Sequence, residues 1–94
     1  MFEISHGENG TIALSGRLDA SQADKARQFL DMVDSSSILD FKDLDYISSS
    51  GLGVLLGTQK RLTTAGQSLT LINLSKHIND VFLIAGLDNI FEIK

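Results

Sequence analysis

The feature that most constrains the fold is the alternation of strand-like and helix-like segments along a chain of 94 residues. After an opening pair of short alternating segments, each predicted strand is followed by a helical pattern before the next strand begins. Strands joined through a helix pair in parallel, because the crossover returns the chain to the same end of the sheet. The sequence therefore predicts one α/β domain over residues 1–94, with a mixed, mostly parallel sheet of about five strands and three or more packed helices.

The first two strands are predicted to form a β-hairpin, which supplies the one antiparallel pairing. Phe2 and Ile4 alternate with other residues, as do Ile12 and Leu14, and the turn-forming residues 6–10 lie between the two runs. The later strands are predicted at residues 37–41, 68–73 and 90–93.

Three helices are predicted between these strands, at residues 21–34, at 50–64, and between Ser75 and Gly86. In the first helix, Ser21 and Asp24 are predicted to form a capping box, and Arg27 is predicted to pair with Asp31 on the solvent side.

The apolar residues at helical spacing predict which helix faces are buried. They are Ala23, Ala26, Leu30 and Val33 in the first helix, Leu52, Leu55, Leu56 and Leu62 in the second, and Ile78, Val81, Phe82 and Ala85 in the third. Gly53 and Gly57 share a face of the second helix, which predicts a close approach of its backbone to a neighbouring strand.

Composition argues against several classes of function. No run approaches the roughly 20 apolar residues of a membrane span, no basic-then-apolar leader opens the chain, and there is no cysteine for disulfide or thiolate chemistry. The eight Lys and Arg residues are scattered in a chain of net charge −4, whereas nucleic-acid binding favours a basic stripe. We expect a cytoplasmic protein that inserts in no membrane, binds no nucleic acid and has a protein or a neutral surface as its partner.

Residues 48–53, here named the serine–glycine segment, lie where a strand pattern gives way to a helix pattern. A helix start presents unpaired backbone N–H groups and a partial positive charge, which favour a hydroxyl and, later, a phosphate. The segment consists of Ser48, Ser49, Ser50, Gly51, Leu52 and Gly53, so its backbone is open to an approaching partner. We predict that the protein is modified or bound here, and the alternative is a helix N-cap with spare serines.

The nucleophile-elbow and phosphate-binding-loop interpretations of the serine–glycine segment fail on spacing, and the two histidines give no metal-ligand pattern. It lacks the two glycines that flank a nucleophilic serine, and it lacks the lysine that ends a phosphate-binding loop. His6 is expected in the hairpin turn and His77 in the third helix, and no cluster of His, Asp and Glu has the spacing of metal ligands. We therefore expect no enzymatic activity, no cofactor and no metal.

Asp40, Asp43 and Asp45 are predicted to form an acidic loop just before the serine–glycine segment. Asp is common in solvated turns because of its short polar side chain. The alternative is that these carboxylates help to seat a partner.

Three segments resemble STAS domains of the anti-sigma-factor antagonist type. They are residues 43–57, which contain the serine–glycine segment, residues 14–19, which resemble the family's strand-to-helix segment, and residues 86–93, which resemble its closing segment. The resemblance spans nearly the whole chain in the right order and implies the STAS fold. The chain departs from the family at Ser48, where many relatives have Asp, and after Lys94, where relatives commonly carry a further helix.

The resemblance implies a regulatory protein whose binding is switched by phosphorylation. Ser49 matches the serine that a partner kinase phosphorylates in such antagonists, so the unphosphorylated protein is expected to bind an anti-sigma factor serine kinase, or a similar regulator, and to be released once Ser49 is phosphorylated. A serine phosphatase would restore binding, and the protein is expected to be a monomer. The residues expected to contact the partner are Asp19, Asp45, Ser48, Ser50, Gly51, Leu52 and Gly53.

A second function is compatible with the same family. Some lone STAS domains are accessory subunits of ABC-type lipid transporters and dock on the ATPase without phosphorylation. The compact length fits that role, whereas the consecutive serines at residues 48–50 argue against it. A nucleotide- or lipid-sensing domain is a weaker third possibility, because no dedicated pocket motif is present.

Overall fold

The sheet and its pairing follow the predicted order of elements. In the computed structural model, which describes all 94 residues, five strands are arranged β1-β2-β3-β4-β5. The strands are β1 Phe2–His6, β2 Thr11–Leu18, β3 Ser37–Ile47, β4 Leu69–Ile72 and β5 Glu92–Ile93. β1 pairs antiparallel with β2, and every other pairing is parallel. The predicted mixed, mostly parallel sheet is confirmed.

Three α-helices connect the parallel strands and bury their apolar faces against the sheet. They are α1 Ala23–Leu30, α2 Ser49–Thr64 and α3 Lys76–Ile84. Alternate strand residues and the inward helix residues form one apolar cluster of 19 buried side chains, in which Phe82 packs edge-on against Phe41 and Phe91. None of the helices is both long and apolar enough to cross a membrane.

The predicted acidic loop at Asp40, Asp43 and Asp45 is wrong, because β3 does not end at residue 41. The strand stays paired with β2 as far as Leu18 opposite Ile47, and the register shifts twice on the way. Each shift changes the spacing of buried residues from two to three, so the alternation that marks a strand is lost. Asp43 and Asp45 are therefore exposed on a strand, and Asp40 is half-buried.

The predicted capping box at the first helix is also wrong. A 3₁₀ turn over Ala20–Gln22 precedes α1, and the Asp19 carboxylate accepts hydrogen bonds from the Ser21 backbone N–H at 3.0 Å and from its hydroxyl at 2.6 Å. Ser21 thus donates to the cap instead of forming it. Asp24 pairs with Arg27 across one turn, which replaces the expected pair of Arg27 with Asp31.

The buried faces of the helices are mostly as predicted, with one clear error in α3. Ala85 is exposed because it is the C-cap residue, and Gly86 follows it in a left-handed conformation with φ of 73°. In α2, Leu52 and Leu56 are only half-buried. His6 ends β1 instead of lying in the turn, and its ring lies 5.1 Å from that of Phe29.

A buried glutamine connects α2 to the far edge of the sheet. Gln59 is 4% exposed, its Nε2 donates to the Ile90 carbonyl at 2.8 Å, and its Oε1 accepts from the Leu69 backbone N–H at 2.8 Å. Both ends of the amide are therefore satisfied inside the protein, as buried polar groups require.

Replacing this glutamine with an apolar residue tests its role. Gln59→Leu leaves the buried Leu69 N–H without a partner, so we expect the free energy of unfolding to fall by about 1–3 kcal/mol in urea denaturation. Gln28→Leu, at an exposed position of α1, is the matched control and should change it by less than about 0.5 kcal/mol. Equal unfolding free energies for the two variants would contradict the bridging role.

Candidate functional site

The site is built where β2 and β3 end side by side. The two strands are parallel, and their last pair is Leu18 opposite Ile47. The Ser48 backbone N–H continues the pairing by donating to the Leu18 carbonyl at 2.9 Å. Asp19 and Ser48, which come from separate predicted segments, therefore both lie immediately beyond the carboxyl ends of these two strands. This end of the sheet, at Leu18 and Ile47, is here named the β2–β3 edge.

Ser48 is the N-cap residue of α2, and this separates it from the two serines that follow. Its backbone is extended and its Oγ accepts from the Gly51 backbone N–H at 3.1 Å. Ser49 and Ser50 are exposed in the first turn, and their hydroxyls make no hydrogen bond within the protein. The N-cap that was the alternative interpretation of this segment is thus present at Ser48, and the helix begins one residue earlier than predicted.

Gly51 lets the start of α2 lie directly on the ends of β2 and β3. A Cβ atom there would lie 2.7 Å from the Leu18 Cγ and 3.0 Å from the Ile47 Cγ1, which are closer than side chains approach one another. The residue is buried, whereas Gly53 two residues later is exposed. Gly51 therefore sets the position of the serines.

The predicted close approach at Gly53 and Gly57 is wrong. A Cβ atom at either position would meet nothing within 4 Å, so no strand lies against this face of the helix. The two glycines instead border a groove of about 440 Å³ between α1 and α2, whose other lining residues include Ser50, Arg27 and Arg61. The i, i+4 spacing correctly predicted that Gly53 and Gly57 share a helix face, but this face borders an open groove and does not contact a strand.

Asp19 is held as an anion beside the serine–glycine segment. The hydrogen bond from the Ser21 hydroxyl lowers the pKa of its carboxyl below the ordinary range, helped by the Ser21 backbone N–H and the charge of Arg17. The carboxylate is occupied in the cap of the 3₁₀ turn. Asp45 is exposed on β3 and has no ion pair.

Arg17 and Tyr46 form a pair at this edge that sequence reasoning missed. They are opposite each other in the β2–β3 register, and the Arg17 guanidinium carbon lies 4.3 Å from the centre of the Tyr46 ring. The two residues are 29 positions apart, so only the register with its bulges brings them together.

No group of three or more His, Cys, Asp or Glu side chains is arranged to hold a metal ion.

Comparison with known families decides the classification. The sequence model of the family described as "Mlab, STAS domain" matches residues 1–92. The chain belongs to the STAS domain family. Its serine–glycine segment and the β2–β3 edge are accordingly features of a STAS domain, and the fold expected from the resemblance is confirmed.

Relatives and solved structures agree with this assignment. The chain is 36% identical to the anti-sigma-B factor antagonist of Listeria monocytogenes, over 88% of this chain and 76% of that protein. It is 34% identical to the anti-sigma-B factor antagonist of Bacillus subtilis, over 97% and 87% respectively. The structure of the antagonist SpoIIAA in its unphosphorylated form has a TM-score of 0.73 at 21% identity and covers 100% of this chain and 87% of that one. All three are named as antagonists of anti-sigma factors.

The different surroundings of the glycines in α2 can be tested directly. Gly57→Ala should raise the free energy of unfolding by about 1 kcal/mol, because alanine favours the helix and its methyl group meets nothing. Gly51→Ala should lower it by about 1–3 kcal/mol, because the added methyl overpacks against Leu18 and Ile47.

Urea denaturation of both variants beside the wild type gives the comparison. Changes of the same sign in the two variants would contradict the packing described for the start of α2.

Proposed function

We propose that this STAS protein is an anti-sigma factor antagonist whose binding is switched by phosphorylation of Ser49. The unphosphorylated protein binds an anti-sigma factor serine kinase, or a similar regulator, and the kinase ends the interaction by phosphorylating it. The observation that carries the proposal is the exposed, unbonded Ser49 hydroxyl in the first turn of α2, at the edge shared by β2 and β3. A serine phosphatase regenerates the binding form.

The local geometry favours Ser49 over Ser48 as the acceptor. The Ser48 hydroxyl is half-buried and already accepts the Gly51 N–H, so it is less accessible to a kinase than the exposed Ser49 hydroxyl. The Ser49 hydroxyl is exposed and makes no hydrogen bond within the protein. Ser50 is also exposed but borders the groove between α1 and α2, where Arg27 and Arg61 lie.

The physics of a helix start implies that the switch acts at the interface. A phosphate adds about −1.5 to −2 charges and three acceptor oxygens. At the N-terminus of α2 these interact favourably with the helix dipole, by about 0.3–1 kcal/mol, so the helix is not melted. Release of the partner then comes from the size and desolvation of the dianion against a surface fitted to a hydroxyl, and every 1.4 kcal/mol lost weakens binding about tenfold.

The proposed partner surface surrounds Ser49. Its exposed contacts are Asp45, Ser50 and Gly53, while Asp19 and Ser48 hold the two helix starts in place. Gly51 and Leu52 contribute through packing, because Gly51 is buried and Leu52 is half-buried against the core. The Listeria and Bacillus relatives, named as antagonists of anti-sigma-B factor, support this assignment.

A direct test uses ATP, magnesium and the candidate serine kinases of the source organism. The protein is incubated with each, and phosphate is mapped by mass spectrometry in the wild type and in Ser48→Ala, Ser49→Ala and Ser50→Ala. We expect one phosphate, at Ser49, that Ser49→Ala alone abolishes. Phosphate that persists in Ser49→Ala would contradict the assignment of the acceptor.

Affinity measurements on the same kinase test the switch. Ser49→Ala should bind about as tightly as the wild type, because a methyl group fits where a hydroxyl fits. Ser49→Asp should bind at least about tenfold more weakly, through the desolvation of its carboxylate. If Ser49→Asp bound as tightly as the wild type, the charge-switch account would fail.

The alternative of an ABC-transporter accessory subunit remains the second candidate. The description of the matching family model contains the name Mlab and does not mention an anti-sigma factor antagonist. That role needs no phosphorylation, so a protein that none of the kinases modifies at residues 48–50, but that binds a transporter ATPase, would favour it.

A further inference from the structure

Arg17 stands apart from the other arginines of the chain. Arg27 pairs with Asp24, and the Arg61 Nη2 donates to the Leu30 carbonyl at 2.9 Å. Arg17 is exposed, and its side chain makes no hydrogen bond and no ion pair within the protein. All the N–H donors of its guanidinium therefore remain available to a ligand.

The guanidinium is nevertheless held in place. Its central carbon lies 4.3 Å from the centre of the Tyr46 ring, a cation–π contact that leaves the N–H groups without a hydrogen-bond partner in the protein. Cross-strand pairing fixes both backbones, because Arg17 and Tyr46 are opposite each other in the β2–β3 register. A long side chain that is already ordered loses less conformational entropy when it binds.

The position of the pair connects it to the proposed switch. Tyr46 is two residues before Ser48, and Arg17 is one residue before Leu18, whose carbonyl accepts the Ser48 N–H. Asp19 is close enough for the charge of Arg17 to lower the pKa of its carboxyl, yet the two form no ion pair. An ordered cation with unused donors therefore lies at the edge of the sheet from which the phosphorylatable helix starts.

We propose that Arg17, ordered by Tyr46, is a recognition residue that binds a carboxylate of the partner protein docked over Ser49. A planar guanidinium with free edge donors matches an Asp or Glu carboxylate with two parallel hydrogen bonds. Arg and Tyr are also the residue types that dominate binding energy in protein interfaces. This inference rests on the proposed function and adds the chemistry of one partner contact.

The test measures the affinity of the kinase that phosphorylates Ser49, without ATP, for variants at this pair. Arg17→Gln should weaken binding about 10- to 100-fold and reduce its dependence on salt concentration. Arg17→Lys should recover only part of the loss, because an ammonium cannot form the planar two-bond contact. Tyr46→Phe, which keeps the ring, should bind like the wild type, and Tyr46→Leu should lose about as much as Arg17→Lys.

Lys42→Gln is the matched control, since it removes one positive charge from an exposed position of β3 that stacks on no ring. It should bind within about twofold of the wild type, and melting temperatures should show that all variants are folded.

Equal affinity of Arg17→Gln and wild type overturns this inference while the switch at Ser49 stands. The inference is also overturned if Arg17→Gln keeps wild-type affinity but, once phosphorylated at Ser49, melts at a lower temperature than the phosphorylated wild type. Arg17 would then bind the phosphate on Ser49 of its own chain and not a carboxylate of the partner. A wild-type protein that no kinase binds overturns the proposed function and this inference together.

Discussion

The contact of Gly51 with Leu18 and Ile47 is the constraint on which the rest of the site depends. It brings the first turn of α2 onto the ends of β2 and β3, with no room for even one methyl group. This placement puts Ser48 where its N–H extends the strand pairing and its hydroxyl caps the helix. Ser49 then lies exposed in the first turn of a packed helix and not in a loop, which suits the proposed recognition of this residue by a partner.

In the proposed switch, the distribution of charge around this edge lets a phosphate on Ser49 change binding more than it changes folding. The neutral Ser48 caps α2, and the Asp19 carboxylate is engaged with Ser21. A phosphate on Ser49 therefore meets the positive end of a helix dipole, and the folded state tolerates it. A partner fitted to the unmodified surface meets a bulky dianion instead. The same edge carries Arg17 on the ring of Tyr46, a fixed cation that gives the surface a specific electrostatic feature.

Much of this fold follows from local patterns in the sequence. The order of strands and helices, the opening hairpin, and a serine N-cap within the serine–glycine segment all depend on residues close together in the chain, and all are present. The second half of β3 was missed because two register shifts break the alternation of buried residues. The capping at the start of α1 was wrongly predicted because a 3₁₀ turn precedes the helix, and Asp19, two residues before Ser21, caps that turn.

Features that depend on pairing between distant segments were beyond sequence reasoning. The opposition of Arg17 to Tyr46 follows from a register that no local pattern encodes, and the open space over Gly53 and Gly57 follows from how α1 lies beside α2. The likeness of the serine–glycine segment to a family, by contrast, predicted Ser49 as the phosphorylation site from sequence alone, and this stays a prediction. The structure adds that the Ser48 hydroxyl is already engaged, and this distinguishes the neighbouring serines.

The central claim is that phosphate on Ser49 releases the partner without unfolding the protein. The most direct measurement is the dissociation constant of the partner kinase for the protein carrying phosphoserine at position 49, compared with the unphosphorylated protein under the same conditions. The account predicts affinity at least about 100-fold lower for the phosphorylated form, equivalent to about 2.7 kcal/mol, while its circular dichroism spectrum remains that of the folded protein. Equal affinities for the two forms, or release accompanied by loss of the folded spectrum, would contradict it.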